Sequence, residues 1–252
     1  MQAWFDTPPG RYLLAWEQGR CDQAVADIFG YHAVQLGLPE LDGLRANRMP
    51  HRWLALEQPG SGAALVSDFS ALPFPAASLD LVLLPHTLEN HADPHATLRE
   101  VERVLVPEGR VVICGFHPFS LWGLREWRAR LYRRLGRGQP YLPPANERLH
   151  LRRLRDWLRL LGFEVEHVHQ GCRRPAVRGE RWLERFAWMD TLGGRWWPLP
   201  GAAYCVVAVK RVRGVRLLGP AWKPVNGAAA ATVPLARRSG DNHAFSVKEV
   251  ND

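Results

Sequence analysis

Lysine is nearly absent: only Lys210, Lys223 and Lys248 stand among thirty-three basic residues, so thirty are arginine. A compositionally biased genome produces that ratio as readily as function does, and it selects no partner by itself. The four cysteines, Cys21, Cys114, Cys172 and Cys205, form no Cys-x-x-Cys pair and no Cys/His ligand spacing. A zinc site or disulfide framework is therefore unsupported; reduced thiols in a cytoplasmic protein, with no metal, are expected. No apolar run approaches the roughly 20 residues that span a bilayer. The start, Met1-Gln2-Ala3-Trp4-Phe5-Asp6, lacks a basic region followed by an apolar stretch, so secretion is not expected. Internal repeats are also missing.

What remains is the composition of a globular domain, 46% hydrophobic and 23% charged over 252 residues. The net charge of +8 is local: between Phe119 and Leu160 eleven arginines face only Glu126, Glu147 and Asp156. The rest of the chain sums to neutral.

Hydrophobic periodicity predicts alternating strands and helices. Arg11 to Phe29 carries short amphipathic patterns interrupted at Gly19, ending at Gly30. Strands are expected at His32–Leu36, Trp53–Leu56, Ala63–Val66 and Leu79–Leu84, the last an apolar run broken only by Asp80. Asp93-Pro94 opens a helix that places Leu98, Val101 and Leu105 on one face and stops at Pro107-Glu108-Gly109. The strand Arg110–Gly115 completes a parallel crossover unit. Further on come a helix over Ser120–Arg134, a helix over Leu149–Leu161, a strand at Phe163–His169 and a last strand at Ala203–Val209. Two inserts, about 119–147 and 178–200, interrupt the domain expected over 1–212. Beyond it, 213–252 lose periodicity and predict a mostly disordered tail.

Three blocks carry chemistry: Val66-Ser67-Asp68-Phe69-Ser70-Ala71-Leu72-Pro73-Phe74, then Ser78-Leu79-Asp80-Leu81-Val82, then Arg103-Val104-Leu105-Val106-Pro107-Glu108-Gly109. Together they resemble the type 11 group of class I S-adenosylmethionine-dependent methyltransferases. In that group Asp-x-x-x-Leu-Pro-Phe precedes Phe-Asp-x-Val, Leu-Glu-His and Arg-Val-Leu-x-Pro-Gly-Gly. Leu79 replaces Phe here, Asn90 replaces His, and Glu108 replaces the first Gly. With the continuation Gly115 to Arg125, the order is most similar to a bacterial branch, the YafS-like proteins. The resemblance implies a doubly wound α/β sheet of seven strands in order 3-2-1-4-5-7-6, helices on both faces and a helical lid. It also implies S-adenosylmethionine as cofactor.

Carried over by position, Asp68 meets the adenine amino group and the backbone amide of Phe69 a ring nitrogen. A turn capped by Asp68 with Ser67 and Ser70 explains the same residues. The first motif is cut back: Gln35 stands for the acid, Gly37 for the first glycine, and the other two glycines are missing. Glu57 is the candidate ribose-binding acid or an ordinary loop carboxylate. Pro85 and His86 follow strand four at the cofactor edge. His86 is the first candidate for a base or substrate contact and His117 the second, with His91 nearby; a hydrogen-bonded structural histidine is the alternative.

The helix from Leu121 to Leu135 is expected to pack Leu121, Leu124, Trp127, Leu131 and Leu135 over the crevice. Trp122, Arg125, Trp127 and Arg128 would then form a substrate lid, with Arg133 and Arg134 at the opening and a Trp-rich helical insert over Gly179–Trp197 beside it. A solvated basic face is the alternative reading. The functional expectation is methyl transfer to a small aromatic or apolar acceptor. Its alternative is a non-catalytic binding module of the same fold with a basic surface. There is no Asn-Pro-Pro-Tyr run and no recognition domain, so no specific nucleic acid is expected, while peripheral contact with anionic surfaces fits the arginines.

Overall fold

Seven runs rich in Val, Leu, Ile and Ala become the strands of one sheet in the computed structural model, which describes residues 2–133, 136, 139–191 and 200–211. They are β1 (His32–Leu36), β2 (His51–Leu56), β3 (Leu65–Val66), β4 (Leu79–Pro85), β5 (Leu105–Phe116), β6 (Phe163–Gly171) and β7 (Ala203–Lys210). Their order is β3-β2-β1-β4-β5-β7-β6, as the motif resemblance implies. β1 to β5 pair in parallel, and β7 runs antiparallel to β5 and β6. Asp80, the polar break in β4, accepts the backbone amides of Tyr31 and His32 at 2.8 and 2.9 Å, tying the entry of β1 to its neighbour.

Helices accompany the sheet: α1 (Gln2–Phe5), α2 (Pro8–Val25), α3 (Thr87–Asn90), α4 (Pro94–Val104), α5 (Leu121–Arg133), α6 (Leu151–Leu160) and α7 (Glu180–Arg185), with residues 188–191 helical as well. α4 and α6 cover one face through Leu98, Val101, Leu154 and Trp157. The other face packs against α2 and the irregular segment 37–50, through Leu13, Cys21, Val25, Leu41, Leu44 and Met49. No helix intervenes between β1 and β2 or between β2 and β3. The β1–β2 crossover over 37–50 is irregular instead, and this shapes the site.

Several local expectations need correction. α2 runs through Gly19 without a break, because Leu13, Glu17, Cys21 and Val25 bury a continuous i, i+4 stripe while Gly19 faces solvent. α4 ends at Val104, and Leu105 already pairs with Leu79 in the sheet. Pro107-Glu108-Gly109 is an irregularity inside β5 between the Leu79 and Leu81 registers, not a stop before the strand. Glu108 there has φ 64, a left-handed conformation that explains why glycine stands at this place in the motif. Of the Trp-rich insert, the described part holds the short α7, a turn at 186–187 and a helical stretch over 188–191. The tail over 213–252 lies outside the described residues.

Candidate functional site

Open α/β sheets bind ligands beyond the carboxyl ends of their strands, and a cleft of about 510 Å³ opens there, beside β1, β2 and β4. Gly37, Leu38, Glu57, Phe69, Pro85 and Thr87 line it. Its volume falls within the roughly 300–1,000 Å³ typical of small-molecule sites. Gly37 (φ 83) and Leu38 (φ 47) turn the chain sharply out of β1. The Gly37 amide is held by Ala55 O at 2.8 Å, and the Thr87 hydroxyl donates to Leu36 O.

The shortened loop is organised by Gln35. Its buried amide nitrogen donates to the carbonyls of Gly37, Leu38 and Leu41 at 3.1, 2.9 and 2.7 Å, and its oxygen accepts Gly43 N at 3.0 Å. Gln35 therefore faces the loop interior and supplies the bonds that a helix in this crossover would make within itself. Sequence position alone placed it as a cofactor contact; the structure gives it a supporting role.

His91 Nε2 lies 3.3 Å from both Glu57 Oε1, part of the cleft lining, and Asp68 Oδ1, bringing the two acids together after a separation of eleven residues. Asp68 Oδ1 also accepts Ser70 N at 2.8 Å and Ser70 Oγ at 2.7 Å. Those two bonds, with His91, hold the Asp68 carboxyl below the ordinary carboxylate range. Asp68 therefore caps its turn, as the alternative reading expected: the contacts converge on Oδ1, and the side chain remains 63% exposed, next to Phe69 of the cleft lining.

His86 does not belong to the reacting surface. Its side chain is fully buried, with Nε2 2.8 Å from Glu17 Oε1 and Nδ1 2.9 Å from Glu89 Oε2. Burial opposes its charge most strongly, yet the two carboxylates override it and push the pKa up to about 10. An imidazolium bonded at both nitrogens has no lone pair to offer and no path to an acceptor. The expectation that His86 acts as a base or substrate contact is corrected: it locks α2 and α3 onto the sheet. The missed partner, Glu17, was legible in the Leu13/Glu17/Cys21/Val25 spacing.

α5 is also turned from its expected orientation. Its buried positions are Trp122, Gly123, Glu126 and Ala129, whereas Leu124 and Trp127 are 52% and 62% exposed. A Cβ at Gly123 would meet the Pro118 carbonyl oxygen at 1.9 Å, so only glycine permits this close seat. Glu126 Oε2 accepts Tyr141 N and Leu142 N at 2.8 and 3.1 Å, anchoring a carboxylate where an apolar side was expected. Trp122 is a core residue whose Nε1 donates to Arg174 O, and Arg125 is bound to Ala176 O with its guanidinium 4.7 Å from the Tyr141 ring centre. Neither is free to cover a substrate. Arg128 faces solvent, and Arg134 and Leu135 lie outside the described residues.

The displaced apolar face instead lines a second pocket of about 640 Å³, with Phe119, Leu121, Leu124 and Trp127 on one side and Asn146 to Arg148 on the other. It adjoins the first. Pro144 lines the cleft and Asn146 the pocket, and Asn146 is fixed by donating to Asn90 O at 2.6 Å and Glu89 O at 2.8 Å. His117 ends just before Pro118 of this pocket; its Nδ1 accepts Phe119 N at 3.3 Å. Burial, with a smaller contribution from His150, holds its pKa below the ordinary 6.5. Among the described residues no cluster of metal ligands occurs and no helix is long and apolar enough to cross a membrane.

This sheet order with its carboxyl-edge cleft defines a class I methyltransferase fold. Residues 47–113 match the type 11 family described as a methyltransferase domain. The chain is 35% identical over 167 residues to the YafS protein of Escherichia coli K12, an alignment covering 66% of each chain. It spans about half, 48%, of the Mycobacterium relatives that it matches at 30% identity. Among solved structures, the protein complexed with the Trm112 methyltransferase activator of Haloferax volcanii superposes with a TM-score of 0.57 at 17% identity, covering 84% of this chain and 96% of that one. An S-adenosylmethionine-dependent methyltransferase of Archaeoglobus fulgidus gives 0.52 at 18% identity, covering 79% and 94%.

Proposed function

We propose that the chain transfers a methyl group from S-adenosylmethionine to a small aromatic or apolar acceptor. The observation that carries this reading is the adjacency of two sites: a carboxyl-edge cleft lined by Glu57 and Phe69, and an apolar pocket behind the Pro144–Asn146 strip. A two-substrate transfer needs that arrangement, and the fold and the family match support the cofactor.

The residues present fit it. Glu57, at the end of β2, suits ribose hydroxyls; Asp68 and the Phe69 backbone suit an adenine edge; Gly37 and Leu38 bring backbone close to the remainder. When bound, the cofactor supplies an activated methyl group on sulfur. The protein's share is then alignment of the acceptor, and removal of a proton where the nucleophile carries one. With His86 sealed in the core, His117 is the base candidate: burial holds its pKa below the ordinary 6.5, and it directly precedes Pro118 and Phe119 of the second pocket's lining.

Calorimetry with S-adenosylmethionine and S-adenosylhomocysteine tests the reading. Asp68→Ala is expected to weaken binding by roughly five- to a hundredfold, the loss of one hydrogen bond worth about 1–3 kcal/mol. Full-strength binding by that variant would place the ligand elsewhere. A second reading, a non-catalytic binding module, is favoured by one observation: Gln35 replaces the motif acid and turns inward. It predicts no binding of either compound at millimolar concentration.

A further inference from the structure

Each carboxylate in the second pocket has its own arginine. Glu126 Oε1 lies 3.4 Å from Arg130 Nε and 3.9 Å from Arg133 Nη2, and Glu147 pairs with Arg153. Arg148 differs. It forms no ion pair among the described residues; Nη2 donates to Pro143 O at 2.9 Å, and Nε is sealed from water without an acceptor. Burial first, then repulsion from Arg130, pushes its pKa below the ordinary arginine value, against a smaller opposing pull from Glu126 and Glu89. A part-buried guanidinium with a like charge beside it, no carboxylate of the described residues within ion-pair distance and a sealed, unbonded Nε is an incomplete electrostatic arrangement.

We propose that this pocket takes an amphipathic anion, its apolar body against Phe119, Leu124 and Trp127 and its carboxylate or phosphate on Arg148. The apolar part follows from those walls, 69%, 52% and 62% exposed on one side of the pocket. The sign of the charge follows from Arg148: a neutral ligand leaves it without a direct ion-pair partner, and a cation meets the guanidiniums of Arg130 and Arg148. Nη1, which makes no bond among the described residues, retains donor capacity for an oxyanion. That this anion is the methyl acceptor rests on the function proposed above; that it binds does not.

Calorimetric titration with octanoate, octan-1-ol and octylammonium tests the proposal on the full chain. Wild type is expected to bind octanoate roughly ten- to a hundredfold more tightly than octan-1-ol, the range for a charge-assisted hydrogen bond, and to bind octylammonium weakest. Arg148→Met lowers octanoate to the affinity of octan-1-ol, while S-adenosylhomocysteine affinity is retained. Trp127→Ala, at an exposed position, weakens both octyl ligands and carries the test if Arg148→Met does not fold. Equal affinity for octanoate and octan-1-ol in wild type, or undiminished octanoate binding in either variant, overturns the proposal.

Sedimentation with phosphatidylcholine vesicles, with and without phosphatidylglycerol, separates the sources. Arg148-dependent sedimentation only with phosphatidylglycerol assigns a bilayer lipid, and octanoate binding without sedimentation assigns a soluble amphiphile. Binding to neither overturns the proposal. Octanoate binding of the expected pattern without any S-adenosylhomocysteine binding sinks the methyl-transfer reading and leaves the pocket assignment standing.

Discussion

Replacing His86 with phenylalanine keeps a ring beside Phe116, whose centre lies 4.4 Å away, but removes the cation between Glu17 and Glu89. Two buried carboxylates then lose their common partner, and Glu17 Oε2 already has no hydrogen bond. Breaking a buried pair from one side typically costs about 3–5 kcal/mol. The titration gives the same scale: a histidine raised from 6.5 to about 10 is worth up to about 5 kcal/mol at 1.36 kcal/mol per pH unit. At roughly 2–4 °C per kcal/mol for a domain of this size, the melting temperature should fall by roughly 6–20 °C. The pH arm has a definite sign. The folded pKa is above the unfolded one, so this stabilisation is complete below pH 6.5 and is lost as pH rises through about 10. Thermal melts from pH 6 to 10 should show wild type losing stability along that limb, and His86→Phe lacking the histidine component. An unchanged melting temperature, or the same slope in both proteins, would refute the buried ion triad.

Gln35→Ala removes four bonds to the loop after β1; a loss on the order of 2–4 kcal/mol in urea unfolding is expected, with weaker S-adenosylhomocysteine binding. Binding and stability unchanged would mean that the loop holds itself. For a protic acceptor, His117→Ala should lower kcat while leaving cofactor affinity intact. In wild type the acid limb of the kcat profile should lie below the ordinary histidine value of 6.5; a limb above it would assign the base elsewhere. Glu108→Gly relieves a left-handed residue at about 1–2 kcal/mol and loses an exposed pair with Arg211 worth about 0–1 kcal/mol. A net gain of about 0.5–1 kcal/mol is expected in differential scanning, and a drop would show that the Arg211 contact outweighs the backbone.

Motifs with strict local meaning were legible in the chain. Asp93 does cap α4, accepting Ala96 N at 2.9 Å, because a cap involves residues three apart. The both-sided burial of β4 followed from an apolar run, and the strand order from the motif resemblance around Asp68, Leu79 and Glu108. At the site, Gly37, Glu57, Phe69 and Pro85 line the cleft as their positions beyond strand ends suggest.

What sequence alone left undecided depends on contacts between distant segments. The sequence left His86 as either a base candidate or a hydrogen-bonded structural histidine; Glu17, sixty-nine residues earlier, closes on it and makes it the latter. The direction of α5 was ambiguous because Leu124 and Trp127 form an apolar stripe as convincing as Trp122 and Ala129. Gly123 against Pro118 and Glu126 on the Tyr141 and Leu142 amides decided which stripe is buried. Local periodicity and capping are written over a few residues and survive in any context. The protonation state of a buried group, and which of two helix faces meets solvent, depend on the neighbours that only the folded chain supplies.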